Sequence, residues 1–155
     1  MGESLRTRLE RAVFNWYPAY LATGGRVTHI EDDWSEVRIK LPLSWRTRNV
    51  VGTLFGGSLY SAVDPFYMIM LFRRLEDSYV VWDKAASIQF RKPGTETLYA
   101  TFEVPDGEVE QIETELADSD SVDREYDIDL VNADGKVHAR VEKTVHVSTD
   151  ERKRA

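Results

Sequence analysis

Residues 52–75 have the sequence GTLFGGSLYSAVDPFYMIMLFRRL, in which nearly every position after the glycine pair is apolar. A helix without a polar face must be buried on all sides, so the segment predicts a central helix over residues 56–75. Gly56 and Gly57 stand at its start, where backbone N–H groups lack partners within the helix and other groups can approach closely. Asp64 lies about two turns further on, where an unpaired charge is costly. An acid near free N–H donors indicates a site of chemistry.

Asp64 also has a simpler interpretation, because Pro65 follows it. Aspartate is a common N-cap residue and proline is favoured at the first helical position, so Asp64 would then only start a helix. The apolar spacing already begins before the proline, which favours one helix bent at Pro65. The residues alone leave both interpretations open.

Segments on either side of this helix predict an antiparallel sheet. The predicted strands, read from alternating apolar and polar residues between turn signals, are residues 26–30, 34–43, 79–91, 98–104, 122–131 and 136–147. Residues 106–117 have the apolar spacing of a short surface helix with an acidic outer face. Because no strand–helix–strand repeat appears, we expect an α+β fold in which one sheet curls round one helix.

The N-terminal residues 1–24 predict a helical segment that lies over one side of the core. Its apolar residues have helical spacing, and they are Leu5, Leu9, Ala12, Val13, Trp16, Tyr17 and Tyr20. Pro18 bends or ends this helix, and a second glycine pair stops it.

The strand at residues 79–91 has one irregular position. Its even positions form an apolar face, namely Val80, Trp82, Ala86, Ile88 and Phe90. Lys84 interrupts that row. A lysine on a core-facing row needs an acid, and Asp64 is the candidate if the strand lies along the helix. Alternatively, the strand bulges or meets a subunit edge at Lys84.

Composition limits the class of protein. The chain has 155 residues, which fits one domain, and no cysteine for a disulfide or a thiolate metal site. No apolar run is long enough for a signal peptide or a membrane span, so we expect a cytoplasmic protein. The net charge of −7 argues against nucleic-acid binding. The His, Asp and Glu residues do not cluster at the spacing of metal ligands, so the sequence does not predict a metal site.

The order of these elements, together with two motifs, resembles the hotdog-fold thioesterases. The motifs are NVVGTLFGG at residues 49–57, leading to Asp64, and IQFRKPG at residues 88–94. The runs FGGSLY, DP and WDK are most similar to a hotdog family of unassigned activity that is related to phenylacetate-type acyl-CoA thioesterases. The resemblance covers nearly the whole chain. It implies one hotdog domain over residues 1–155, with a curved antiparallel sheet wrapped around one long buried helix.

The resemblance also implies roles for site residues in acyl-CoA hydrolysis. The N–H of Gly57, with Gly56, would polarise the thioester carbonyl, and Asp64 would be the nucleophile or the base for water. Asn49 would orient the water or the carbonyl. Phe55 stands where characterised thioesterases often carry a histidine. The residues expected to bind substrate are Gly56, Phe55, Ser58, Lys84, Arg91 and Lys92.

No separate cofactor is expected, because the substrate would be a thioester of coenzyme A or of an acyl carrier. The phosphates of coenzyme A need local basic residues in an acidic protein, and the candidates are Arg91, Lys92, Arg46 and Arg48. The alternative for Arg91 and Lys92 is that they are solvated charges at a strand end. The resemblance implies a homodimer, or a dimer of dimers, with the site between subunits and the long strand at residues 79–91 paired with its copy.

Three alternatives remain from the residues. A non-catalytic acyl-thioester or lipid binder is favoured by Phe55. A hotdog dehydratase would need a histidine facing the acid, whereas the three histidines (His29, His138 and His146) lie in or beside strands. Finally, the side chains of Phe66, Tyr67 and Met68 would shape an acyl pocket or would simply form core, which is the commoner fate of such a stripe.

Overall fold

The computed structural model describes residues 2–75 and 77–149. The elements, in chain order, are α1 (Leu5–Trp16), α2 (Pro18–Thr23), β1 (Arg26–Ile30), β2 (Glu36–Leu41), α3 (Gly56–Ser61), α4 (Phe66–Arg74), β3 (Tyr79–Phe90), β4 (Leu98–Glu103), α5 (Asp106–Asp118), β5 (Ser121–Val131) and β6 (Val137–Thr149). The predicted strands are confirmed, because each observed strand end lies within two residues of its predicted position.

The six strands form one antiparallel sheet in the order β1-β2-β4-β5-β6-β3. The buried side chains of α3 and α4 meet the inward rows of the strands in a single core. β3 is an edge strand that pairs with β6 along its whole length. The expected sheet packed around a helical centre is therefore confirmed.

The central helix is interrupted, unlike the single helix predicted over residues 56–75. α3 ends at Ser61 and α4 begins at Phe66. Pro65 has no N–H to continue the helical hydrogen-bond series, which explains the break. The Asp64 N–H still donates to the Tyr60 carbonyl over 3.0 Å. The N-cap of α4 is Pro65, with no side-chain cap bond, so Asp64 is not the helix cap.

The apolar stripe of α1 points away from the core. Four of its residues expose between 63% and 82% of their surface, namely Leu5, Leu9, Val13 and Trp16. Polar residues of the helix instead form hydrogen bonds to the rest of the protein. The Asn15 side chain bonds the backbone N–H and carbonyl of Val27, and the Trp34 indole N–H donates to Glu10. These bonds orient the helix, so its predicted apolar stripe faces outward, while Phe14, outside that stripe, packs against the core.

A bulge at Lys84 divides β3 into two halves with opposite facing. The pairing of β3 with β6 shifts register between Asp83 and Ala85. One extra residue moves all later side chains to the other face of the sheet. The predicted alternation holds after the bulge, where Ile88 packs against the core. The bulge alternative is thus confirmed.

Before the bulge the predicted facing of β3 is reversed. Tyr79 and Val81 pack against the core, and not Val80 and Trp82 as expected. Trp82 is 51% exposed and stacks on His146 on the outer face of the sheet.

Within the described ranges, no helix is long and apolar enough to cross a membrane.

Candidate active site

Asp64 lies in the turn between α3 and α4 and is held from two sides. The Tyr60 hydroxyl donates to its Oδ1 over 2.7 Å, and Lys143 Nζ donates to the same atom over 3.1 Å. Burial, followed by the bond to Asp64, raises the pKa of Tyr60, so this phenol stays a donor. The Asp64 side chain is 43% exposed. One carboxylate oxygen is therefore fixed, while the group keeps access to its surroundings.

Lys143 is a completely buried cation between two acids. Its side chain, from β6, has no exposed surface, and its Nζ lies 2.9 Å from Oδ2 of Asp83 on β3. Burial raises the pKa of the Asp83 carboxyl, against the opposing effect of the Lys143 hydrogen bond. An unpaired ammonium would be very costly here, so both acids are needed to hold it. Asp64 is thus tied to the sheet through Lys143.

The sequence reasoning missed Lys143 and the inward direction of Asp83, although a signal was present. The buried row of β6 contains Ala139, Val141, Val145 and Val147, and position 143 in that row is a lysine. A lysine inside an apolar row indicates a buried counter-charge. Alternation alone puts Asp83 opposite the apolar even positions of the strand, and its inward direction follows only from the bulge.

Lys84, the predicted partner of Asp64, lies elsewhere. Its Nζ donates to Oδ2 of Asp123 over 2.5 Å, and the side chain is 53% exposed. The Asp123 carboxylate also bonds His146, and these two bonds lower the pKa of Asp123. The expectation of a Lys84–Asp64 pair is therefore wrong, because the bulge turns Lys84 to the outer face.

A cavity of about 280 Å³ lies beside Asp64, between α2 and the central helical segment. We call it the aspartate cavity, and its lining includes Phe14, Tyr17, Ala19, Tyr20, Ser61 and Asp64. Its walls are mostly aromatic and aliphatic, which is typical of small-molecule sites with a few polar groups.

The glycine pair begins α3 as predicted, with Phe55 as its N-cap residue. An added Cβ on Gly57 would lie 2.6 Å from the Phe55 ring, and one on Gly56 would lie 3.2 Å from the Phe90 ring. Both rings therefore pack directly on the glycines. Only glycine fits at Gly57 unless Phe55 moves.

Asn49 forms hydrogen bonds within its own loop, and Ser58 is a buried residue. The Asn49 side-chain oxygen accepts from the N–H groups of Val51 and Thr53, and its amide donates to the Thr53 hydroxyl over 2.9 Å. These bonds hold the loop that precedes the glycine pair. Ser58 is buried inside α3.

A second cavity, of about 410 Å³, lies at the glycine pair. We call it the glycine groove, and its lining includes Asn49, Leu54, Gly56, Phe90, Arg91 and Lys92. Two of the predicted basic residues thus stand beside Gly56. By contrast, Arg46 donates to the Leu21 carbonyl and lines a different cavity with Trp16 and Arg26.

Other residues singled out in the sequence have structural contacts. Phe66 and Tyr67 are core residues and Met68 packs against the core, so the core interpretation of this stripe holds. His29 contacts Glu31, and His138 contacts the Pro93 carbonyl. Within the part of the chain that the structure describes, no histidine bonds Asp64.

The acid and the glycine pair do not share one cavity within the chain. Asp64 lines the aspartate cavity and Gly56 the glycine groove. Within the described residues, neither cavity is lined by both the acid and a residue of the glycine pair.

Solved structures with the same architecture are thioesterase-like proteins. A protein of unknown function and probable thioesterase from Pseudomonas aeruginosa superposes with a TM-score of 0.83 at 18% identity, covering 97% of this chain and 100% of that one. A thioesterase from Haemophilus influenzae gives 0.68 at 12% identity, with coverages of 96% and 94%. The Escherichia coli PaaI protein from the phenylacetic acid degradation operon gives 0.62 at 18%, with coverages of 92% and 94%.

At these identities the likenesses establish the fold, and they confirm the hotdog expectation. No curated protein sequence matches the chain. The family model of DUF4442, a domain of unknown function, matches residues 6–147. The chain therefore belongs to the DUF4442 family, with a thioesterase-like hotdog fold.

Proposed function

We propose that this protein hydrolyses an acyl thioester, with Asp64 as the base or the nucleophile. The observation that carries the proposal is the anchoring of Asp64. Its Oδ1 accepts from Tyr60 and from the buried Lys143, while no donor among the described residues bonds its Oδ2. The side chain also lines an apolar cavity. A fixed acid with a free oxygen is suited to act on a bound acyl group.

Either role of Asp64 gives a balanced hydrolysis. As a base, the carboxylate takes a proton from water while the water oxygen bonds to the thioester carbon; the C–S bond then breaks and the thiolate takes up the proton. As a nucleophile, the carboxylate oxygen bonds to the carbon and displaces the thiolate, and water then cleaves the resulting anhydride. In both cases the Gly57 N–H would donate to the developing oxyanion.

The proposed site needs two copies of the chain. Gly56 and Asp64 of one chain line separate cavities, so the glycine pair of one copy would face the acid of the other. β3 provides the edge for this pairing, because it is twelve residues long and pairs with β6 on one side only. A long free edge favours addition of a second strand. We therefore propose a homodimer.

The glycine groove would hold the thiol carrier. Arg91 and Lys92 line it beside Gly56, and they are suited to the phosphates of coenzyme A. Phe90 also lines the groove, and its ring packs on Gly56. The substrate class proposed is acyl-CoA.

A non-catalytic acyl-thioester binder is the second candidate. The position of Phe55 favours it, because this ring packs on Gly57, the proposed oxyanion donor. The bonds of Asn49 within its own loop favour it too, since they occupy the side chain that would orient water. Such a protein would keep both cavities and lack turnover.

The test is thiol release from acyl-CoAs by wild type, Asp64→Asn and Asp123→Asn. Both aspartates bond a lysine, but Asp123 lies on the outer face of the sheet. We expect Asp64→Asn to lose about 100-fold or more in kcat, as for removal of an acid–base group. Asp123→Asn should keep wild-type turnover. Equal kcat for all three proteins contradicts the role of Asp64, and saturable binding without thiol release favours the binder.

A further inference from the structure

We infer that the aspartate cavity binds the acyl group of the substrate, an inference that rests on the proposed thioester hydrolysis. The cavity lies between the N-terminal helices and the central helical segment, where Ile69 of α4 also lines it. Asp64 is part of its lining. An acyl chain seated there would bring its thioester carbon to the carboxylate.

The walls of the cavity present hydrocarbon surface. The rings of Phe14 and Tyr20 pack with centroids 4.8 Å apart. The polar end of Tyr20 is already used, because its hydroxyl donates to the Ala62 carbonyl over 3.0 Å. The Thr23 hydroxyl likewise donates to the Tyr20 carbonyl over 2.7 Å. The rings therefore offer apolar contact and few free polar groups.

The polar groups of the cavity lie on its helical side. Ser61, the last residue of α3, and Asp64, in the following turn, both line it. Aromatic walls from the N-terminal helices face them. This division matches a ligand with a polar reacting end and an apolar body, which is the structure of an acyl thioester.

Size limits the ligand. A volume of about 280 Å³ is just below the usual range of small-molecule pockets, which is roughly 300–1,000 Å³. The cavity fits an acyl group, while the coenzyme part must lie outside it. Tyr17 and Ala19 are exposed residues in the lining and mark its rim. The class assigned is a short or medium aliphatic acyl group or a single-ring aryl acyl group.

The test fills the rim of the cavity with one large side chain. Ala19→Trp places an indole at the rim, and Ala12→Trp is the matched control, since Ala12 is also an exposed helical alanine but does not line the cavity. Hydrolysis of acetyl-, hexanoyl-, decanoyl- and benzoyl-CoA separates the aliphatic from the aryl class. Calorimetric binding of the thioethers S-methyl-CoA and S-hexyl-CoA gives a readout without turnover.

We expect Ala19→Trp to lower kcat/KM at least about tenfold for the preferred longer or aryl acyl group, because apolar contacts in the pocket are lost. It should change acetyl-CoA hydrolysis by less than about twofold, and Ala12→Trp should match wild type. S-hexyl-CoA should bind at least about tenfold more weakly to Ala19→Trp, with S-methyl-CoA unaffected.

The outcomes separate the cavity from the hydrolysis. Equal S-hexyl-CoA affinity in both variants overturns the acyl cavity, whether or not thiol is released. Weaker binding by Ala19→Trp in a protein without turnover supports the cavity and removes the hydrolase proposal. A change of oligomeric state in Ala19→Trp alone means that a second copy fills the cavity, which also overturns the inference.

Discussion

The ammonium group of Lys143 lies 3.1 Å from the carboxylate of Asp64, and no part of the lysine side chain is exposed. A buried lysine needs compensating charge, and the only short contacts to its Nζ within the described residues come from Asp64 and Asp83. The proposed reacting acid is thus also part of a structural ion network. Changes at the lysine should alter stability and reaction together.

We predict that Lys143→Met destabilises the protein by about 3 kcal/mol, because the partly buried carboxylates of Asp64 and Asp83 then lose their shared buried cation. Lys84→Met is the matched control, since its ion pair with Asp123 lies on the exposed outer face and should leave the unfolding free energy near the wild-type value. Urea denaturation of both variants measures the difference. Equal destabilisation by the two substitutions would contradict the burial of Lys143.

The sequence singled out Asp64 as the candidate acid but did not predict its counter-ion, for a physical reason. Alternation along β6 identifies position 143 as inward, but alternation cannot say which acid meets the lysine across the sheet. The bulge decides this point, because it turns Asp83 inward and Lys84 outward. A one-residue irregularity has no reliable sequence signal, yet it changes both partners.

The direction of the apolar face of α1 also could not be predicted from the spacing of its residues. Its apolar stripe predicted contact with the core, whereas Asn15 and Glu10 form the specific bonds to the sheet side. A helical stripe identifies an apolar face but not what that face covers. The central position of the apolar segment was predicted, though not its break before Pro65, because a helix apolar on nearly all sides has only one place in a small fold.

We predict that removing the two basic residues of the glycine groove weakens the binding of coenzyme A thioesters but not of thioesters without phosphate. Arg91→Ala with Lys92→Ala should raise KM for an acyl-CoA about tenfold, because phosphate contacts are lost. The same acyl group on N-acetylcysteamine, which has no phosphate, should be hydrolysed as by wild type. Arg46→Ala is the control, since Arg46 lines another cavity. Equal losses on both thioesters would argue against phosphate binding here.

Acid stability should depend on Glu108. Arg124 donates to both its carboxylate oxygens over 2.8 and 2.6 Å, and Tyr126 donates over 2.8 Å. The Arg124 bond, the largest effect, lowers the pKa of Glu108 below its ordinary value of 4.5. The stabilisation is therefore present above pH 4.5 and is lost as the pH falls through the lowered folded-state pKa.

Glu108→Gln should therefore cost about 1 kcal/mol at neutral pH, with partial solvent access limiting the effect. The gap from wild type should close in acid. Glu110→Gln, at an exposed position of the same helix, should show no such gap. Urea denaturation across the acid range is the measurement, and a gap that stays constant with pH would contradict the pairing.

A last prediction concerns the two-chain site and uses two inactive variants. If Gly57 of one copy acts with Asp64 of the other, chains carrying Gly57→Val and chains carrying Asp64→Asn each have two defective sites as homodimers. A mixed dimer of the two has one site in which both residues are intact. After unfolding and refolding an equal mixture, half of the dimers are mixed, so thiol release should return to about a quarter of the wild-type rate. Separately refolded variants, combined afterwards, are the control. If the mixture stays inactive although mixed dimers form, the acid and the oxyanion donor must act within one chain.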